Sequence, residues 1–83
     1  MSMAEIAGQL RAIELPYALC EQLQGEIKSC REKAQGILGE SGTGFGEISG
    51  ATEQALSEVA ALISAIDEMK SRLENAASRL TQG

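Results

Sequence analysis

The feature that most constrains this chain is a seam of evenly spaced apolar residues in its second half. Ile48, Thr52, Ala55, Val59, Leu62, Ile66, Met69, Leu73, Ala76 and Leu80 follow one another in strict steps of four and three, and only Thr52 is polar. A 3.5-residue period keeps such a series on one side of an α-helix and winds that side into a narrow supercoiled seam. Leu56, Ile63 and Ala77 lie beside it and widen it to the stripe of a bundle helix. Neither Pro nor Gly interrupts residues 51–82. A helix over about 48–81 is expected.

The first half repeats the pattern with a defect. Ile6, Leu10, Ile13, Tyr17 and Cys20 step correctly, as do Leu23, Ile27, Cys30, Ala34 and Ile37. Between Cys20 and Leu23 a second consecutive step of three displaces the seam, a stammer that overwinds a coiled coil. Pro16 lies one turn upstream and lacks the donor that an interior helix position needs, so it either kinks a continuous helix or opens a new one. Ser2 and Glu5 have the spacing of a capping box, with Met1 and Ile6 placed as a hydrophobic staple. The reading preferred is one helix over about 3–38, bent near Pro16.

Between the halves, Gly36, Gly39, Gly42, Gly44, Gly46 and Gly50 hold six of the nine glycines. Glycine at this density does not sustain a helix and supplies the positive φ angles of a reversal. A turn over about 39–47, with Gly42, Gly44, Phe45 and Gly46 at its centre, joins two helices of similar length. A short connection sets them antiparallel. The expected fold is therefore all-α: one domain spanning residues 1–83, built as an antiparallel two-helix hairpin. The basic run Lys28, Arg31 and Lys33 then lies opposite the acidic start of the second helix, a favourable but weak pairing.

Composition narrows the function classes. Hydrophobic residues make up 43% of the chain, yet Tyr17 and Phe45 are its only aromatics, and there is no Trp or His. The apolar mass is Ala, Leu, Ile and Met, which suits close helix packing. The net charge is −5, and no basic stripe with interleaved aromatics is present, which argues against nucleic-acid binding. From Glu40 to Glu68 there are six acids and no base; Lys70, Arg72 and Arg79 follow. Acid first and base last complements a helix macrodipole. The sign change also marks the segment after Glu68, which a hairpin brings beside the N-terminal residues, as a candidate contact or export surface. Cys20 and Cys30, ten residues apart on one helix, are separated by about 15 Å along its axis, too far for a mutual disulfide. Both are expected as small buried apolar residues. Met1–Glu5 lacks the basic region and apolar run of a signal peptide, and no stretch approaches the ~20 apolar residues of a membrane span. Synthesis in the cytoplasm, with any export leaderless, is the expectation.

Catalytic patterns are not found. The run Gly39-Glu-Ser-Gly-Thr-Gly-Phe-Gly imitates a phosphate-binding loop, but Phe45 stands where that motif needs Lys and Gly46 where it needs a hydroxyl. Without His there is no acid–base or triad chemistry of the usual kind, and two isolated cysteines do not make a metal site. Asp67 and Glu68 are adjacent and point to different faces of a helix. No cofactor, metal or small-molecule substrate is expected. A lone two-helix hairpin of this size is marginal, because each helix buries only one stripe. Docking onto another hairpin to give a four-helix bundle is the natural remedy. The partner, a second copy or another helical protein, is expected on Leu56, Val59, Leu62, Ile63, Ile66, Met69, Leu73 and Leu80.

In this organisation, an acidic chain of two helices about a Gly-rich turn, the sequence resembles the small secreted helical hairpins of type VII secretion. These are the WXG-type or early-secreted-antigen-like proteins and the partner proteins of LXG toxins. Phe45, in Gly44-Phe45-Gly46, stands where that family carries Trp, and Glu47 where it carries Gly. Ile63 and Asp67 match the spacing of the family's C-terminal export signal, with Ile in place of its aromatic. The resemblance implies a secretion substrate or a targeting partner of a secreted toxin that works as a dimer. A type III needle-like subunit, similar in length and hairpin form, and a cytosolic helical scaffold or adaptor are the alternatives.

Overall fold

The computed structural model describes residues 1–39 and 44–82. The chain is all-α. Among the described residues there are three helices, α1 (Met3–Arg11), α2 (Tyr17–Leu38) and α3 (Phe45–Thr81), and no strand. None of these helices is long and apolar enough to cross a membrane.

Local chemistry accounts for the helix ends. The Glu5 N–H donates to Ser2 Oγ at 3.1 Å, the N-cap bond anticipated from the Ser2/Glu5 spacing. Met1 stays exposed and forms no staple. Helix α1 stops at Arg11, and Ala12 caps it by donating to the Gly8 carbonyl at 3.0 Å. The single bent helix expected over 3–38 is thus two helices separated by residues 12–16. A continuous helix would need the Pro16 N–H to reach the Ala12 carbonyl, and proline has none. Leu15 is also pushed out of the helical region by the ring that follows it. Pro16 comes immediately before Tyr17, the first residue of α2.

Helix α2 ends where Gly39, at φ +77°, donates its N–H to the Gln35 carbonyl at 2.7 Å. Gly44 adopts φ +93°, and its carbonyl accepts the Ile48 N–H at 3.1 Å, opening α3. Phe45 and Gly46, expected in the turn, therefore form the first helical residues of α3, which starts earlier than about 48. Once one glycine has taken the left-handed conformation, the residues after it are free to enter the helix. Gly42, the remaining turn residue, lies outside the described residues.

The helices gather into two compact units. One joins Met1–Pro16 with Ser64–Gly83, so both ends of the chain belong to it. Here Ala7 of α1 and Ile66 and Ala77 of α3 are buried, flanked by half-buried Ile6, Leu10, Leu73, Ala76 and Leu80. Arg11 Nε donates to both carboxylate oxygens of Glu74, at 3.1 and 3.2 Å. The other unit is Tyr17–Ile63. Its core is Cys20, Thr52 and Val59, with Ile27, Ala34, Leu56 and Ile63 half-buried around them. The Thr52 hydroxyl satisfies itself locally, donating to the Ile48 carbonyl at 2.8 Å. Both cores are thin. Among the described residues no large side chain is completely withdrawn from solvent.

Candidate docking surfaces

The inward face of α2 differs from the seam expected for it. Tyr17, Cys20, Gln24, Ile27, Arg31 and Ala34 are buried or half-buried, whereas Leu23, Cys30 and Ile37 are exposed. The inward series keeps steps of three and four through Cys20 and Gln24, so there is no stammer. The regular register places polar Gln24 and Arg31 on the inward face and turns three apolar residues outward. A long basic side chain can lie along an apolar face and keep its head hydrated, and the Arg31 side chain is 33% exposed. Its Nη1 donates to Glu53 Oε1 at 3.3 Å. Pairing of the basic run with the acidic start of α3 is therefore realised through Arg31. Both partners are partly exposed, and such a pair contributes at most about 1 kcal/mol.

The two cysteines also separate. Cys20 is buried, as a small apolar residue should be, but Cys30 is exposed, against expectation. Both thiols are free.

On α3 the inward face is offset toward the flank of the expected seam. In the Tyr17–Ile63 unit, Val59 is only 6% exposed and Leu56 and Ile63 are half-buried, while Leu62 is 47% exposed. In the unit holding the chain ends, Ile66 is 5% exposed and Leu73 and Leu80 are half-buried, while Met69 is 45% exposed. Of the residues assigned to a partner, Val59 and Ile66 are thus covered by the chain itself. Leu62 and Met69 are the large side chains of that set left open. The exposed apolar residues that sequence reasoning did not assign to a partner are Met1, Met3, Ile13, Leu19, Leu23, Ile37 and Leu38. For α2 the signal was available: Leu19 and Leu23 belong to a second 3.5-residue series beside the inward one.

This distribution has a chemical consequence. Scattered exposed leucines are ordinary, but Leu19 and Leu23, one turn apart on α2, are neighbouring exposed apolar side chains of the kind that contribute to interaction surfaces. Comparison with protein-family models, with curated proteins and with solved structures finds no match for this chain.

Proposed function

We propose that the chain is a non-catalytic protein–protein interaction module, an antiparallel helical hairpin that completes a four-helix bundle with another helical chain. The observation that carries this reading is the imbalance between a thin interior and an apolar exterior. Leu19, Leu23, Ile37, Leu62 and Met69 are all at least 40% exposed, while no large side chain among the described residues is fully buried. In either unit, a helical partner that covers the exposed apolar side chains would supply apolar burial that the unit lacks. The resemblance of its sequence to the hairpins of type VII secretion supports a role there, as a small secreted substrate or as the targeting partner of a secreted toxin.

The test is co-expression with neighbouring genes, followed by light scattering of the chain alone and of whatever co-purifies. A dimer or a defined complex with a helical protein is expected. Leu62→Asp should weaken that association while leaving the helical signal in circular dichroism intact, because Leu62 is half open to solvent. Val59→Asp should instead unfold the chain, since an unpaired buried carboxylate costs several kcal/mol. A well-folded monomer at micromolar concentration with no helical partner would overturn the reading.

A further inference from the structure

Helix α2 carries an outward stripe whose chemistry is specific enough to name its occupant. Leu19, Leu23, Glu26, Cys30, Lys33 and Ile37 follow one another in steps of four, three, four, three and four, and all six are exposed. The series is a second heptad-type seam on the side of α2 not used within the chain, about 27 Å long at 1.5 Å per residue. It is apolar at both ends, with Leu19 and Leu23 at one and Ile37 at the other, 64% and 83% exposed for Leu19 and Ile37. Its middle carries one acid and one base with Cys30 between them. Glu26 and Lys33 are two turns apart, about 10 Å along the axis, too far to pair with each other. Neither makes an ion pair with another side chain among the described residues; Glu26 accepts one long bond, 3.4 Å, from Gln22 Nε2.

A stripe with this order of charges is complementary to its own reverse. We propose that a second copy of this chain docks here, antiparallel, about a two-fold axis crossing α2 close to Cys30. That symmetry sets Glu26 beside Lys33 of the second copy and repeats the same pair on the other side of the axis. It also brings Leu23 of one stripe beside Ile37 of the other, so apolar meets apolar at both ends. A parallel arrangement would place Glu26 against Glu26 and Lys33 against Lys33, which disfavours it. The interface is isologous, as two-fold dimers require, and it places the exposed thiols of Cys30 near each other across the axis. The buried Cys20 thiols stay out of reach. The inference rests on the interaction-module reading and deepens it by naming partner, face and orientation.

The test uses the full chain and its own thiols. A short bis-maleimide should link the wild-type protein into dimers that vanish with Cys30→Ser and persist with Cys20→Ala. Glu26→Lys and Lys33→Glu should each weaken the dimer about tenfold in sedimentation equilibrium, by turning two attractive contacts into two repulsive ones. The double variant Glu26→Lys/Lys33→Glu should restore it, and mixing the two single variants should yield the heterodimer. Circular dichroism shows whether each variant keeps its fold. A dimer that is indifferent to the charge reversals and is not linked through Cys30 overturns this inference and leaves the interaction-module reading in place. So does a monomer that binds a different helical protein. A monomer that binds nothing overturns both.

Discussion

Among the described residues, Ala7 and Ala77 are the two of the core that solvent does not reach. Both belong to the unit that holds the chain ends, and a fully buried alanine is how two helices achieve a close approach. A larger side chain there has no room without displacing a helix, and overpacking of that kind costs about 1–3 kcal/mol. Ala77→Leu should lower stability by that amount in urea denaturation. Ala61→Leu, at an exposed position of the same helix, should change it by less than about 0.5 kcal/mol. Equal effects would mean that the close approach at Ala77 does not exist. Thr52 teaches the complementary lesson. It is polar within an apolar seam and still buried, because its hydroxyl bonds to the Ile48 carbonyl one turn back. A buried hydroxyl is tolerated when its partner is local.

At the scale of the element, glycine acts in opposite ways according to its φ. Gly44 has a positive φ, and a β-carbon built on it meets no atom within 4 Å. Gly44→Ala is therefore a clean test of backbone conformation: it should cost about 1–2 kcal/mol through the left-handed geometry alone. Gly50 lies inside α3 with equally open surroundings. Gly50→Ala should stabilise by about 0.5–1 kcal/mol, because alanine loses less backbone entropy in a helix. Thermal unfolding of the two variants should therefore move in opposite directions, and shifts of the same sign would show that Gly44 does not hold its turn through φ. Pro16 illustrates how an element boundary follows from covalent structure. The break at residues 12–16 needs no tertiary contact, since the missing N–H and the crowding of Leu15 already disfavour a continuous helix.

For the whole molecule, the division into two units matters most for α1. Nine residues are fewer than the ~12–15 that an isolated helix needs in water, so α1 owes its stability to its packing. The residues grouped with it begin at Ser64 of α3 and include Ile66, Leu73 and Ala77, with Glu74 held by Arg11. Truncation after Met69 leaves Ile66 but removes Leu73, Glu74, Ala77 and Leu80. Amide exchange in α1 should then lose its protection, while α2, which belongs to the Tyr17–Ile63 unit, keeps most of its own. Protection retained in α1 would show that something other than the last turns of α3 supports it. An export or binding assay on the same truncation asks whether the segment after Glu68 also carries a contact surface. If binding and export survive, that segment is a helix end that packs α1.

What the sequence determined by itself was everything that depends on neighbours along the chain. The long 3.5-residue period made α3 helical through Thr81, the Ser2/Glu5 spacing placed the start of α1, and Gly39 marked the end of α2. These are local steric and hydrogen-bonding facts, so they are legible without a fold. Which side of each helix faces inward was not legible. On α2, counting apolar residues favours Leu23, Cys30 and Ile37, yet the chain buries the series through Cys20, Gln24, Ile27 and Arg31. On α3 the apolar stripe is wider than one neighbouring helix can cover, so Leu62 and Met69 were as plausible inside as Leu56 and Ile63. Only the tertiary structure chooses between such registers, because burial on a helix is decided by where the other helix lies. Arg31, half-buried with its head on Glu53, shows that a polar residue can hold the inward place and leave the apolar ones outside.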